Sequence, residues 1–319
     1  MASINIGELA ATTIENYEKS LQDNIFNDHV LLNHMKSNDG VKLYDGGTKI
    51  RVPLMYSTNT TVKAFSGVDT LDTTYQDTVD AAEYDYKMYN VSITLTLEDE
   101  LKNSGTSAIL DLLEAKIKQA EMSISERLNN DLYNGAGSDA KEVTGIETLI
   151  AASGTVGNIN GTTQAFWQSY VDSTSEALSI ADMRTAKNTA NLGNGGKKVS
   201  IIVTTQTLHE KYASLLTASY VMNQQVVSSK EGKRLGDGGF SALEFEGVPV
   251  VFDEDCTSGA MYFLNTFNLK LGIHKDANFK VVKKAEPTDQ HIAVSHIVFM
   301  GNTVMNRRAS LAKLTAKTA

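Results

Sequence analysis

With 319 residues and 41% hydrophobic content, the chain is long enough to bury one large core or two modest ones, which excludes a disordered or low-complexity protein. A formal charge of -9 argues against a grip on nucleic acid through clustered Lys and Arg, and the single cysteine, Cys256, excludes an intrachain disulfide framework or a cysteine zinc site. No run of eighteen apolar residues and no basic-then-apolar leader is present, so the expectation is a soluble protein made in the cytoplasm, with Cys256 a buried small hydrophobe.

Residues 6–36 carry Leu9, Ile14, Tyr17, Leu21, Ile25 and Leu32 at mostly three- and four-residue spacings, which predicts an amphipathic helix with an apolar face to bury on something else. Turn signals at Asn38-Asp39-Gly40 and Asp45-Gly46-Gly47 precede an alternating stretch, 48–54, that predicts a strand; Pro53 confines it to an edge or an end. Residues 58–89 are rich in Thr and Asp and poor in Leu, a composition read as unable to form a core. Between Lys63 and Lys87 stand Asp69, Asp72, Asp77, Asp80, Glu83 and Asp85, with no basic residue. Val91, Ile93, Leu95 and Leu97 then alternate with polar residues as a half-buried strand. Two strands flanking a long acidic segment predict an extended β-hairpin projecting from the body; a solvated loop of about thirty residues is the alternative, uncommon in a compact domain unless it has a function.

The strongest helical pattern covers 107–134, where Ile109, Leu113, Ile117, Ala120, Ile124, Leu128 and Leu132 recur at three- and four-residue intervals, with Thr106 placed to cap the start and Gly135 to end it. At 1.5 Å rise per residue such a helix spans on the order of 40 Å, a spine along a flat domain rather than a bundle member. Beyond the turn-rich 135–139 and a Gly/Asn/Thr-rich loop over 153–164, the pattern alternates. A helix is expected over 177–192, a buried strand over 199–203 and a helix over 207–216. A basic loop follows with Lys230, Lys233 and Arg234, then short strands over 248–251, 261–264, 269–273, 279–282 and 292–305.

Enzyme motifs fail on inspection. Gly193-Asn194-Gly195-Gly196-Lys197-Lys198 lacks the first glycine and the final hydroxyl of a phosphate loop, and it follows a helix and precedes a strand, the wrong order for helix N–H groups to meet phosphate. His209-Glu210-Lys211-Tyr212-Ala213 has alanine where a zinc-protease helix needs its second imidazole, so a surface helix is expected. Gly239-Phe240-Ser241-Ala242-Leu243 is one glycine short of a nucleophile elbow. Asp253-Glu254-Asp255 offers oxygen ligands, but consecutive residues at a strand end point to opposite faces, and a solvated turn is expected instead. No catalytic, cofactor-binding or metal-binding residue is assigned, and the chain is expected not to be an enzyme.

Three short segments carry a resemblance. Ser125-Glu126-Arg127-Leu128-Asn129-Asn130-Asp131-Leu132-Tyr133-Asn134-Gly135-Ala136-Gly137, followed by Thr144-Gly145-Ile146-Glu147-Thr148, resembles the end of the spine helix in the major capsid proteins of tailed double-stranded DNA bacteriophages of the Hong Kong 97 type. Phe245-Glu246-Gly247-Val248-Pro249-Val250-Val251 is similar to that family's Gly-x-Pro-Val strand. Val304-Met305-Asn306-Arg307-Arg308-Ala309-Ser310-Leu311-Ala312-Lys313-Leu314 is similar to its closing strand. The order and spacing of these segments, more than any one of them, span nearly the whole chain.

The resemblance implies an α+β, Hong Kong 97-like capsid fold: an N-terminal arm over 1–39, an E-loop β-hairpin over 40–101, the spine helix and peripheral domain over 102–163, an axial domain over 164–255, and return strands to the peripheral domain over 256–319. It implies self-assembly as hexamers and pentamers into an icosahedral or elongated shell. That shell would enclose DNA without sequence-specific binding and without a membrane, assembled in the bacterial host's cytoplasm and finally part of the virion. A portal protein and a decoration protein are implied partners. Because no long charged helical extension precedes the arm, a separate scaffolding protein is expected. Covalent crosslinking through Lys63 and Asn302 or Asn306 has no supporting pattern around those residues. Intersubunit contact is expected of the acidic residues Asp69, Asp72, Asp77, Asp80, Glu83 and Asp85, facing Arg127 or the Lys230, Lys233, Arg234 loop of a neighbour. The alternatives are an encapsulin-type nanocompartment shell and an α/β enzyme with its site within 177–255.

Overall fold

The computed structural model describes residues 29–96, 106–135, 141–193, 197–217, 243–283 and 292–319. The greater part of the arm expected over 1–39 and the basic loop with Lys230, Lys233 and Arg234 lie outside the described residues. What is described of the arm is helix α1, Val30–Ser37, whose Leu31, Leu32 and Met35 are fully buried in the main core. Strand β1, Val41–Tyr44, follows and pairs in parallel with β12, Leu269–His274.

The hairpin is real, but its return strand is not the expected one. β2, Lys49–Met55, pairs antiparallel with β3, Val79–Asp85, from Lys49 opposite Asp85 to Met55 opposite Val79. Pro53 sits in this two-stranded sheet, where its missing N–H does least harm. The strand predicted over 91–97 is β4, Lys87–Thr96, and it pairs instead along β14, Ile292–Met305. The composition of 58–89 concealed β3 because only two of its residues turn inward: Ala82 and Tyr84 are buried, and the Tyr84 hydroxyl donates to Met305 O at 3.2 Å. The polar stretch therefore does reach the core at one end. On β2 the alternation is clean, with Ile50, Val52 and Leu54 inside.

Helix α2, Thr106–Asn134, is the predicted spine of 29 residues, about 44 Å long at the standard rise. Of its predicted apolar stripe, the described side chains of Ile117, Ala120, Ile124, Leu128 and Leu132 are all buried. Gly135 ends it, donating its N–H to Asp131 O at 2.7 Å, and Gly145 N–H donates to Gly135 O at 3.0 Å. Only glycine fits this crossing: a Cβ on Gly145 would stand 2.5 Å from Gly135 N and 2.7 Å from Tyr133 O. After Gly145 the chain forms a short helix α3, Ile146–Leu149. A small hairpin of β5, Thr155–Val156, and β6, Ile159–Asn160, accepts the Glu83 N–H at Gly157 O, 2.9 Å, and so braces the root of the projecting hairpin.

Two sheets carry the rest. β14 is the hub of the five-stranded one, with β4 along one side and β12 and β13, Lys280–Lys283, in succession along the other. The six-stranded sheet runs β7-β15-β11-β8-β10-β9, made of Tyr170–Asp172, Ala312–Leu314, Met261–Leu264, Ile201–Thr204, Val248–Phe252 and Leu243–Phe245. Helices α4, Ile180–Asn191, and α5, Gln206–Thr217, cover one face. Ile202, Val250, Met261 and Phe263 pack under those helices, whereas Ile201, Val203, Val251, Tyr262 and Leu264 face the main core. Burial on both faces is why these strands read as unbroken apolar runs. The segment 256–319, expected to return whole to the peripheral domain, is shared: β12, β13 and β14 lie in the five-stranded sheet, β11 and β15 in the six-stranded one. The division follows strands because β14 leaves one sheet and the chain enters the other within a few residues. One smaller expectation also shifts: His209 of α5 is buried against Phe252 at 5.5 Å between ring centres, not on a helix surface.

The crossing between sheets is held by Arg308. Its fully buried guanidinium donates to Leu149 O, Ser153 O, Gly154 O and Trp167 O at 2.9, 3.0, 3.2 and 3.2 Å. Burial pulls its pKa below the ordinary arginine value, yet the side chain stays charged, its desolvation offset by carbonyl dipoles. Arg308→Met should lower the unfolding free energy by about 3–5 kcal/mol in a denaturant titration, since it strands buried carbonyls. Arg308→Lys should recover only part, because three ammonium donors cannot reproduce the planar fork.

His34 joins α1 to the start of β8, its Nε2 3.3 Å from Ser200 Oγ, and burial depresses its pKa to about 4. The unfolded histidine titrates near 6.5, so below that pH the unfolded chain takes up a proton that the folded chain refuses. This contribution is complete above pH 6.5 and is lost as pH falls towards 4, about 3 kcal/mol in all. Denaturation at pH 7 and pH 4.5 should show that His34→Gln loses less stability on acidification than the unsubstituted chain does.

Candidate assembly interface

Residues 56–78 form the end of the hairpin beyond its paired strands. The backbone there is held by local bonds and not by a core. Asn59 Oδ1 accepts from Thr61 N at 2.9 Å, Asp72 Oδ1 accepts from Thr74 N at 3.0 Å, and Thr60 Oγ1 donates to Gln76 Oε1 at 3.0 Å. The Thr74 hydroxyl and amide hold Asp72 below the usual carboxylate range. Tyr56 stacks on Phe166 at 5.3 Å and fixes the base of the segment.

The predicted acidic residues fall into two groups. Glu83 pairs with Arg51 at 2.9 Å and with Lys49 at 3.4 Å, and Asp85 lies 3.7 Å from Lys49, so these two are answered across the hairpin in their own chain. Such exposed pairs are worth little and set strand register more than stability. Asp69, Asp72, Asp77 and Asp80 form no ion pair among the described residues. Arg127 is engaged within its own chain too, by Asp131 at 3.0 Å and by Glu142. Asp131 also accepts from the Tyr89 hydroxyl, at 2.6 Å, so this cluster fastens β4 to the spine.

The sequence reading missed the apolar component of the hairpin end. Val62, Phe65, Val68, Leu71 and Tyr75 are exposed, Val68 at 99% and Tyr75 at 89%. A three-residue spacing from Val62 to Leu71 was the available signal, masked by the Thr and Asp around it. Five large apolar side chains exposed within fourteen residues are candidates for cover by a partner.

The remaining charged clusters are structural. Asp172, Glu176 and Asp182 are spaced as metal ligands, but the buried Lys317 ammonium sits among them at 2.9, 2.7 and 3.6 Å. Burial works against the Lys317 charge, and Glu176 and Asp172 more than offset it, raising the pKa. Lys187 holds Glu246 at 3.0 Å in the turn between β9 and β10, where Glu246 and Gly247 both take positive φ as a two-residue hairpin requires. Cys256 is buried, and its thiol is pushed well above the ordinary range by desolvation, so it behaves as a small hydrophobe. Of the motifs set aside above, the glycine-lysine run falls partly, and Gly239-Phe240-Ser241 wholly, outside the described residues. Among the described residues no helix is long and apolar enough to cross a membrane.

No protein-family model and no curated protein matches the chain. Solved structures do. A chain of the cyanophage A-1(L) capsid asymmetric unit is 18% identical and superposes with a TM-score of 0.70 over 92% of this chain and 94% of that one. The capsid of a native GTA particle gives 12% identity and a TM-score of 0.57 over 89% and 90%. The holo-SrpI encapsulin complex of Synechococcus elongatus gives 12% and 0.59 over 89% and 88%. At these identities the likeness establishes the fold, across about nine-tenths of the chain. The chain has the Hong Kong 97-type capsid fold.

Proposed function

We propose that this chain is a shell subunit that assembles as hexamers and pentamers into the head of a tailed bacteriophage and encloses its DNA, in a structural and not a catalytic role. The observation that carries the reading is the projecting hairpin, whose exposed apolar residues find no cover among the described residues. The hairpin end and the surface that receives it are different parts of the molecule, so the contact is head-to-tail and closes into rings when the rotation permits. Apolar burial by Val62, Phe65, Val68, Leu71 and Tyr75 supplies affinity, while Asp69, Asp72, Asp77 and Asp80 set orientation against a neighbour's cations, the loop with Lys230, Lys233 and Arg234 among them. The resemblance supports a portal protein and a separate scaffolding protein as partners in the host cytoplasm, and a decoration protein on the finished shell.

A second reading, a protein-filled compartment, is supported by the encapsulin superposition. The two differ in contents: nucleic acid in one case, cargo protein in the other.

Negative-stain electron microscopy of the purified chain should show closed shells, tubes or hexamers. Val68→Asp with Leu71→Asp should abolish them, and Asp77→Lys with Asp80→Lys should impair them, with unchanged circular dichroism in both. Normal shells from the apolar pair of substitutions would sink the reading, as would a small discrete oligomer from the unsubstituted chain.

A further inference from the structure

Where the root of the projecting hairpin packs on the five-stranded sheet, β1, β2, β12 and β14 enclose a cleft of about 100 Å³. Its floor is apolar, made by Tyr44, Val52, Pro53 and Val304, and its rim carries Lys42, Arg51 and Lys270. The strand pairing gathers these cations. Lys42 lies opposite Gly272 in the parallel pair β1–β12, which sets it on the same face as Lys270, two residues before Gly272, and Arg51 stands on the adjoining hairpin strand.

Like charges on one rim repel, and little around them offsets this. Lys42 forms no ion pair among the described residues; its ammonium lies over the Tyr44 ring, 5.0 Å from the centroid. Among the described residues Lys270 reaches only Asp39, at 3.9 Å, and the Asp39 side chain is 95% exposed. Glu83 meets Arg51 at Nε, 2.9 Å, and is shared with Lys49, so the two terminal amino groups of Arg51 have no partner among the described residues. On a chain of formal charge -9 this is a local excess of positive charge at the surface.

The matching excess of negative charge lies at the far end of the same hairpin. Asp69, Asp72 and Asp77 stand beyond the paired strands, form no ion pair among the described residues, and alternate with the exposed Val68, Leu71 and Tyr75. Each surface therefore joins apolar area to charge, and the charges are opposite in sign. The hairpin end does not turn back on the cleft of its own chain, since none of its residues lines it.

We propose that the cleft receives the hairpin end of a second copy of this chain, with that copy's Asp69, Asp72 and Asp77 set against Lys42, Arg51 and Lys270, and its Val68 and Leu71 against the apolar floor. The proposal rests on the shell reading and names the receiving surface for it. Each chain offers one hairpin end and one cleft at different places, so the contact propagates head-to-tail. The ion pairs are exposed and individually weak; their part is to select the angle at which the apolar contact forms.

The test is zero-length carbodiimide coupling of assemblies formed from an equal mixture of unlabelled and ¹⁵N-labelled full chains, read by mass spectrometry. Amides should join Lys42 or Lys270 to Asp69, Asp72 or Asp77, in pairs that carry one label each. Lys42→Glu with Lys270→Glu should raise the critical concentration for assembly about tenfold or more, with unchanged circular dichroism, because like charges then face each other. Adding Asp72→Lys and Asp77→Lys to that variant should restore assembly, a recovery that a purely structural role of the lysines would not give. Assemblies without mixed-label links, or an unchanged critical concentration in the lysine variant, would overturn this proposal and leave the shell reading standing; a chain that forms no assembly at all overturns both. Protection of Lys42 and Lys270 from acetylation by added double-stranded DNA, with no interchain link, would assign the cleft to phosphate and overturn the choice of a second copy.

Discussion

The structure depends on bringing a single chain segment out of one sheet and into another without leaving backbone unpaired, and Arg308 is the group that permits it. β14 ends at Met305 and β15 begins at Ala312; between them the chain passes through the protein interior. Four carbonyls from three other segments point inward there, and a hydrophobic residue at 308 would leave them unanswered. A guanidinium has donors enough, in one plane, to reach all four. The small hairpin that braces β3 and the loop carrying Trp167 are thereby referred to the same point, so the mounting of the projecting hairpin and the docking of the C-terminal strand share one anchor.

A second constraint follows from the six-stranded sheet. It is buried on both faces, by α4 and α5 on one side and by the main core on the other, and cannot tolerate charge on either. The buried charges in and beside it are paired: Lys313 leaves β15 to meet Glu147 at 2.6 Å, and Lys317, just past β15, is enclosed by Asp172, Glu176 and Asp182. The enclosure of Lys317 also disposes of the metal reading for that trio, since an ammonium already supplies the positive charge.

Much of this was legible in the residues. The spine stripe from Ile117 to Leu132 and the buried strand expected over 199–203 both follow from spacing, and both are present, the strand as Ile201–Thr204. What was not legible depended on pairing. Val91 and Ile93 were read correctly as a strand but assigned to the wrong partner, because alternation says which face is buried and not which strand lies alongside. β3 was overlooked because two inward residues, Ala82 and Tyr84, are too few to register against six acidic neighbours. His209 and Asp253 were read as surface groups because a single polar residue carries no sign of what packs over it.

The projecting hairpin carries apolar surface as well as charge. Glu83 and Asp85, the acidic residues nearest the body, neutralise cations within the hairpin and serve its register. The four carboxylates further out meet no cation among the described residues, yet exposed ion pairs contribute at most about 1 kcal/mol each even when they form. Five exposed apolar side chains in the same segment can contribute more, at about 25 cal/mol for each square ångström removed from water. A contact built this way is indifferent to exact register where it is apolar and selective where it is charged. On the proposed function, a subunit that meets its neighbours in rings of more than one size needs both properties at once: affinity that survives small changes of angle, and charges that forbid the wrong partner.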